Sequence, residues 1–320
     1  MDEKMMIGIA ITSKGIEDIC AKEISEIIGA ETQIGNSFVK FKCSGFEDFC
    51  LLCYQMHTAS RILYVPDDAN QPEKLFDDLS NDNIQNLGID FAGFDLSKRQ
   101  YRTRQSPDLL DSKIAYSLVR IAGISRGETL LEPITSDGVI SIEASLSLEG
   151  ISPSHFVRDK FAFLHFDFLS SIEFDKLFLH KSKPKEKASI YCYSNLLKNV
   201  FIAKKNAVVA GLGKKIHFSK VDLKWIDLKH EANSVDKVIA YIPSRDGTQK
   251  ETGKSYEELL NAASIILSKE GKIVLALDNL FGIEMLAKKY SFGITETREV
   301  VANQKKLIVV ALGRNPKQTL

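Results

Sequence analysis

The sequence is organised around residues 127–148, GETLLEPITSDGVISIEASLSL. An apolar run at 129–131 predicts a buried strand, and apolar side chains recur at helical spacing from residue 139 onward. Residues 132–138 connect the two as a tight turn. A strand whose carboxyl end turns directly into a helix points backbone N–H groups into a crevice, where α/β sheets bind ligands. The stretch therefore predicts a small-molecule site, although its turn holds one glycine, Gly138, where a cofactor loop typically holds several.

The overall composition excludes several classes of protein. With 320 residues, the chain is long enough for two domains with buried cores. Lys+Arg and Asp+Glu both number 42, so net charge provides no general attraction to nucleic acid, and an RNA contact requires a local basic patch. The sequence has no apolar run of ~20 residues, no secretory signal pattern at its start, and five cysteines without framework spacing. We therefore expect a soluble cytoplasmic protein without a membrane partner.

Residues 1–66 are predicted to form a small ferredoxin-like α+β domain. Apolar runs with strand spacing alternate there with two amphipathic helical segments, in the order β-α-β-β-α-β. The predicted elements are strands at 7–12, 32–35, 37–43 and 61–65 and helices at 16–28 and 47–56.

The second of these helices raises the question of a metal site. Cys50, Cys53 and His57 share one helical face, with Cys43 just upstream, and three ligands at this spacing can converge on an ion. The same face is the apolar face of the helix, and cysteine is among the most buried residue types without any ligand role. We favour the core interpretation and predict no metal site.

Residues 67–105 are predicted to be a polar linker with one short helix near 73–79. The linker ends in KRQYRTR, residues 98–104, where four cations flank a tyrosine. Such a run is either a solvated face or a phosphate contact at a domain junction.

Residues 106–320 are predicted to form a Rossmann-like α/β domain. From residue 188, strands alternate with helices of about 10–15 residues, which indicates a mostly parallel sheet of seven strands with an antiparallel last strand. Residues 151–187 are irregular and rich in phenylalanine. An aromatic cluster can stack nucleic-acid bases, but we favour a hydrophobic plug beneath a long connection.

Short motifs along most of the chain point to one family when they are taken as a set. They are HTASRIL (57–63), KRQYR (98–102), LVRIAG (118–123) with GETLLEP (127–133), IEA (142–144) and AKKNAVVAG (203–211). Together they resemble the THUMP-associated, Rossmann-like RNA methyltransferases, which use S-adenosylmethionine to modify guanines in tRNA or rRNA. The resemblance implies a class I methyltransferase domain after the ferredoxin-like domain, S-adenosylmethionine as cofactor, and structured RNA rather than DNA as partner.

The resemblance places the cofactor at the turn and at the ends of the next two strands. The implied contact positions are Glu132, Ser136, Gly138, Ser194 and Asp222. Ser136 stands where the family has a glycine that lets the backbone approach the ligand. Ser194 stands where the family has an acid that accepts bonds from the ribose hydroxyls, and such bonds contribute roughly 1.5–3 kcal/mol each. Asp222 matches an acceptor for the adenine amino group, or else it caps a turn.

A second departure at the turn is Asp137, because the family has a neutral residue there. We expect its carboxylate to repel the cofactor's own carboxylate by up to ~4 kcal/mol at ~4 Å. A micromolar ligand has only about 8 kcal/mol of binding free energy. The changes at the turn and at Ser194 therefore remove most of the expected affinity.

The catalytic positions that the resemblance implies lie at the end of the fourth strand. The family reads N/D-P-P-Y/F there: the polar side chain accepts from the guanine amino group, and the aromatic ring stacks on the flipped base. Here Tyr241 replaces the polar residue and Ser244 the aromatic one, with Pro243 between them. Ser244 cannot stack, so we do not expect activity by the family's mechanism.

The expected RNA contacts are basic residues beside the shortened linker. The interval between Arg61 and Lys98 is too short for most of a THUMP domain, so only a remnant fits there. The residues implied in RNA binding are Arg61, Lys98, Arg99, Arg102 and Arg104. We expect a protein that binds structured RNA and has lost or strongly altered S-adenosylmethionine-dependent activity, so that the cofactor is S-adenosylmethionine or none. One alternative is an active guanine amino-group methyltransferase that uses Tyr241 and Asp222, and another is a non-catalytic protein-binding scaffold.

Overall fold

The computed structural model describes residues 5–66, 88–104, 109–178, 188–243, 249–280, 282–302 and 304–315. The chain divides into two compact units, Met1–Gln100 with Gly150–Ser182 and Tyr101–Glu149 with Lys183–Leu320. This division differs from the predicted boundaries because the phenylalanine-rich segment packs within the first unit. The predicted helix near 73–79 and the predicted catalytic position Ser244 lie outside the described residues.

The first unit has the predicted ferredoxin-like arrangement. Its sheet has the order β2-β3-β1-β4-β5 with antiparallel pairing, and both helices contribute buried residues to one core. The elements are β1 (Met6–Ile11), α1 (Glu17–Ile28), β2 (Thr32–Ile34), β3 (Phe38–Cys43), α2 (Phe46–Gln55), β4 (Arg61–Val65) and β5 (Ile89–Asp90).

The segment Gly150–Ser182 adds three 3-10 turns and a short helix, Phe174–Leu177, to the first unit. Phe161 and Phe163 are fully buried and stack at a centroid distance of 4.8 Å, in the same core as Phe49 of α2. These contacts match the hydrophobic-plug interpretation of the aromatic segment. Phe156, with 53% of its surface exposed, lies outside the plug.

The second unit is built on a seven-stranded sheet of order β11-β12-β10-β9-β6-β7-β8. Strands β6 to β10 pair in parallel, and β12 pairs antiparallel with both β10 and β11, which confirms the predicted mostly parallel sheet with antiparallel final strands. The elements are α3 (Ser112–Ala122), β6 (Thr129–Glu132), α4 (Val139–Glu149), β7 (Ser189–Ser194), α5 (Leu197–Val209), β8 (Ile216–Lys220), β9 (Val235–Ile242), α6 (Gln249–Ile266), β10 (Leu267–Leu277), α7 (Ile283–Lys289), β11 (Phe292–Ala302) and β12 (Lys305–Arg314).

The order of the strands determines where a ligand crevice lies. Strand β6 is an internal strand of the sheet and pairs with β7 on one side and with β9 on the other. The chain runs from β6 to β7 and β8 on one side and then crosses to β9 on the other side, and a ligand crevice forms outside the carboxyl ends of the strands at such a switch point. The turn that follows β6, the end of β7 and the end of β9 all lie at this edge. None of the described helices is both long and apolar enough to span a membrane.

Candidate functional site

Glu132, the last residue of β6, points into the protein. Its side chain is buried, and one carboxylate oxygen accepts hydrogen bonds from the backbone N–H of Ser141 at 2.9 Å and from the Ser141 hydroxyl at 2.5 Å. Burial raises the pKa of Glu132, and the bonds from Ser141 oppose that rise. The acid at this predicted cofactor position thus fastens the strand to helix α4.

Hydrogen bonds within the turn and to strand β7 fix the conformation of the turn after β6. The backbone N–H of Gly138 donates to the Thr135 hydroxyl at 2.9 Å, and the N–H of Thr135 donates to the carbonyl of Tyr193 at 2.7 Å. Gly138 has φ +83°, and a Cβ there would lie 2.9 Å from the Cβ of Ala203 on α5. This position therefore requires glycine for both its backbone conformation and its packing. Ser136, at the missing family glycine, is half-buried.

The structure corrects two expectations at Asp137 and Arg102. Asp137 is buried, and its Oδ2 accepts a hydrogen bond from Nε of Arg102 at 2.8 Å, with Nη2 of the same guanidinium 2.6 Å away. Burial raises the pKa of Asp137, and the guanidinium of Arg102 opposes the rise. The carboxylate is thus matched by a cation, so the predicted repulsion of a cofactor carboxylate is removed. Arg102, whose side chain is only 11% exposed, is a structural partner of Asp137 rather than an RNA contact.

At the ends of strands β7 and β8, the predicted cofactor positions Ser194 and Asp222 make local hydrogen bonds. Ser194 is buried, and its hydroxyl accepts from the backbone N–H of Leu196 at 3.3 Å. No carboxylate therefore occupies the position of the family's ribose acid. Asp222 is exposed and caps the 3-10 turn Leu223–Trp225, accepting from the N–H of Lys224 at 3.2 Å.

Strand β9, the fourth strand of the second unit along the chain, ends at a cluster of side chains that the sequence did not predict. Nζ of Lys305 donates to the hydroxyl of Tyr241 at 2.5 Å and forms an ion pair with Asp278 at 3.0 Å. Tyr241 pairs with Ala276 of β10, Asp278 follows the last residue of β10, and Lys305 begins β12. Antiparallel β12 thus begins at the edge where β9 and β10 end. Only this strand register could have revealed the cluster, because 64 positions separate Lys305 from Tyr241.

The electrostatics of this cluster favour the charged lysine. Partial burial disfavours the ammonium, but the hydrogen bond that Lys305 donates to Tyr241 and its ion pair with Asp278 outweigh that cost, so the pKa of Lys305 lies above its ordinary value. Tyr241 itself is buried, with 6% of its surface exposed. Pro243, the next predicted catalytic position, is half-buried beyond the end of β9.

The remaining basic residues predicted to bind RNA differ in exposure. Arg99 is buried and donates to the carbonyls of Leu96 at 2.5 Å and His57 at 2.8 Å, so it is a structural residue rather than a phosphate contact. Arg61 is partly exposed and is paired with Asp90. Lys98 and Arg104 are exposed.

The cysteines of α2 lie in the core of the first unit. Burial raises the pKa of Cys50 to about 12 and that of Cys53 well above the ordinary value of a thiol. Among the described residues, no group of three or more His, Cys, Asp or Glu side chains is arranged to hold a metal ion.

A mostly parallel seven-stranded sheet with an antiparallel final pair, and a turn–helix crevice at the end of β6, defines a Rossmann-like methyltransferase domain. Residues 99–306 match the family described as RMKL-like, methyltransferase domain, and residues 8–63 match the RlmL ferredoxin-like domain. The chain belongs to this RMKL-like methyltransferase family.

The names of two relatives of this chain refer to RNA methylation. The chain is 32% identical over 224 residues to the tRNA (guanine(6)-N2)-methyltransferase of Methanocaldococcus jannaschii, an alignment that covers 68% of this chain and 56% of that protein. It is 30% identical over 141 residues to the putative RNA methyltransferase YpsC of Bacillus subtilis, covering 43% of this chain and 36% of that protein. The aligned part therefore spans about half, or less, of the length of these relatives.

Solved structures share the fold over nearly the whole chain. A putative methyltransferase crystallised with SAH superposes with a TM-score of 0.76 at 18% identity, covering 98% of this chain and 99% of that one. TrmN from Thermus thermophilus superposes with a TM-score of 0.68 at 16% identity, covering 97% of this chain and 99% of that one. At these identities the likeness establishes the fold alone.

Proposed function

We propose that this protein binds structured RNA, of the tRNA or rRNA class, and that its S-adenosylmethionine-dependent methyl transfer is lost or strongly reduced. The observation that carries the proposed loss of activity is the cluster of Lys305, Tyr241 and Asp278 at the end of β9. An acceptor for a guanine amino group is needed at this position.

The chemistry of amine methylation explains why the cluster matters. The methyl donor is a sulfonium cation: the amine attacks its methyl carbon, the carbon–sulfur bond breaks to leave a neutral thioether, and the amine nitrogen becomes positive as the new bond forms. Acceptors at the amine stabilise this charge, whereas a lysine ammonium can only donate hydrogen bonds. The hydroxyl of Tyr241 already accepts from Lys305, so it is a weaker acceptor for an incoming base.

The cofactor positions fit S-adenosylmethionine only in part. The turn after β6 keeps its strand–turn–helix geometry, and Arg102 neutralises Asp137. The position expected to bind the ribose, however, holds Ser194, whose hydroxyl accepts a hydrogen bond from the backbone N–H of Leu196 just before α5. A neutral hydroxyl cannot replace a carboxylate that accepts two charge-assisted bonds.

RNA binding is supported by the relatives and by the local charge. The two relatives described above are RNA methyltransferases by name, one of them for tRNA, and the balance of 42 basic and 42 acidic residues requires a local basic surface for any RNA contact. Exposed Lys98 and Arg104 are candidates for such contacts.

Two assays on the purified full-length chain test this proposal. Filter binding with unfractionated tRNA and with rRNA measures affinity, and transfer of a radiolabelled methyl group from S-adenosylmethionine measures activity on the same RNA. We expect RNA binding without methyl incorporation. Efficient incorporation would overturn the loss of activity, and absence of RNA binding would support the alternative of a protein-binding scaffold.

A second candidate function is an active methyltransferase with a divergent site, and one observation favours it. The ion pair of Arg102 with Asp137 removes the main repulsion that the sequence predicted at the turn. In this case methyl incorporation into RNA occurs and depends on the hydroxyl of Tyr241 and the carboxylate of Asp222. Tyr241→Phe and Asp222→Ala would then abolish it, each compared with wild type at equal RNA occupancy.

A further inference from the structure

The first unit contains a cavity that neither the family resemblance nor the relatives' names assign as a site, although two of its lining residues, Arg61 and Lys98, are among the implied RNA contacts. Its volume is about 540 Å³, and its lining includes Arg61, Phe94, Asp95, Lys98, Gln100 and Lys160. Pockets for small ligands lie in this size range. All of these residues belong to the unit Met1–Gln100 with Gly150–Ser182.

The two segments that form the cavity are fixed to each other by backbone hydrogen bonds. The N–H of Ala162 donates to the carbonyl of Ala92 at 3.0 Å, and the N–H of Phe163 donates to the carbonyl of Phe91 at 3.1 Å. Gly93 lines the cavity with φ +78°, and a Cβ there would lie 2.7 Å from the Cβ of Ala162. The two segments are therefore closely packed at this wall of the cavity.

The ionic side chains of the cavity favour an anion. Lys98 and Lys160 are exposed at its rim. Arg61 is the third cation and is paired with Asp90. The acid in the lining, Asp95, accepts from the N–H and the hydroxyl of Ser97 at 2.9 and 2.6 Å, so its Oδ1 is engaged locally.

Two further side chains of the lining, Phe94 and Gln100, suit a nucleobase. Phe94 lines the cavity, and its ring stacks on that of Phe161 at a centroid distance of 5.4 Å and an interplanar angle of 25°. An aromatic ring beside cations is the combination that single-stranded nucleic acid prefers, because phosphates meet the cations and bases stack on the ring. Gln100 supplies an amide that can both donate to and accept from a base edge.

We propose that this cavity binds one nucleotide of an unpaired RNA segment, with its phosphates at Lys98 and Lys160 and its base against Phe94. The proposal rests on the RNA binding proposed above and specifies where the RNA is held. Unpaired loops and ends are the parts of RNA whose bases are free to enter such a cavity.

Neutral substitutions at the rim test the proposal. In the full-length protein, Lys98→Gln combined with Lys160→Gln removes two cations, and Lys22→Gln on α1 is the control because Lys22 is exposed and outside the cavity lining. The probes are unfractionated tRNA and a short single-stranded RNA oligonucleotide, measured by filter binding at several salt concentrations. Removing two phosphate contacts lowers the slope of log K against log salt by about 1.4 in magnitude, or ~0.7 for each contact.

A second variant tests the stacking of a base. Phe94→Leu keeps an apolar side chain on Phe161 but removes the ring, and we expect binding of the oligonucleotide to weaken about tenfold. Thermal unfolding of each variant establishes that the fold is retained.

The outcomes separate this inference from the proposed function. If wild type binds RNA and the cavity variants bind with the same affinity and the same salt slope as Lys22→Gln, the cavity assignment is wrong while RNA binding stands. If wild type binds no RNA, both proposals fail. If the cavity variants lose binding and wild type nevertheless methylates RNA, the cavity assignment holds and the proposed loss of activity is wrong.

Discussion

The turn after β6 and the end of β9 both depart from the family pattern, but the protein accommodates the two departures differently. At the turn, Asp137 introduces a carboxylate, and Arg102 balances it within 2.6 Å. At the end of β9, Tyr241 replaces the expected acceptor, and Lys305 adds a positive charge beside it. The first change is compensated and preserves the scaffold, whereas the second, under the function proposed above, alters the chemistry that the site can perform.

This difference indicates that the integrity of a binding loop and the integrity of a reaction site are separate properties. Glu132 binds Ser141, and Gly138 packs against Ala203, so the turn still holds the sheet to its helices. The end of β9 is also well packed, yet its polar groups satisfy one another rather than an incoming base.

The largest expected effect is on the free energy of unfolding and comes from removing the cation that balances Asp137 at the turn. Arg102→Ala leaves the Asp137 carboxylate buried without its cation, which costs about 3–5 kcal/mol of unfolding free energy. The additional change Asp137→Ser, which restores a neutral residue, recovers most of that loss. Urea unfolding measures both variants, and Arg126→Ala, at an exposed arginine, is the control with an effect within about 0.5 kcal/mol. Purely additive losses in the double variant would show that Arg102 and Asp137 do not depend on each other.

A smaller effect is expected from restoring the acid at the end of β7. Ser194→Asp supplies a carboxylate for the ribose hydroxyls, and charge-assisted bonds contribute roughly 1.5–3 kcal/mol each. We therefore expect S-adenosylmethionine affinity to increase by about tenfold or more over wild type. Ser194→Asn, of the same size but uncharged, is the matched control. Equal affinities of the two variants would contradict the assignment of this position to the ribose.

The smallest expected effect concerns the cluster at the end of β9 and depends on pH. The pKa of Lys305 is raised in the folded protein, so the stabilising contribution of its ammonium is fully present below the ordinary lysine value of about 10.4 and is lost as pH rises through the raised pKa. Because Lys305 is half-exposed, Lys305→Met should lower stability at pH 8 by no more than about 1 kcal/mol. The difference between the two proteins, followed by thermal unfolding, should narrow above the raised pKa. A constant difference across this range would show that Lys305 stabilises the fold through packing alone.

The fold could be predicted from the sequence because its signals are local. Period-two runs in the first unit and the alternation of strands with helices after residue 188 predicted both sheets, including the antiparallel final strands. Local signals could not predict in which unit the phenylalanine-rich segment packs. Its apolar pattern shows that it is buried, but not in which unit, and the structure places Gly150–Ser182 with the first.

The site could be predicted only in part, because its decisive contacts are between distant residues. The positions of Glu132 and Gly138 follow from the strand–turn–helix pattern. The partnership of Arg102 with Asp137 joins residues 35 positions apart, and without it Arg102 resembled a phosphate contact. The cluster at Tyr241 depends on the register of antiparallel β12, which periodicity does not determine.

Calorimetric titration of the wild-type protein with S-adenosylmethionine tests the central claim most directly. The absence of an acid at Ser194 and the capping role of Asp222 predict no saturable binding at micromolar concentrations of the cofactor. Saturable micromolar binding that Asp222→Ala abolishes would contradict the account, because it would show that the crevice still holds the methyl donor.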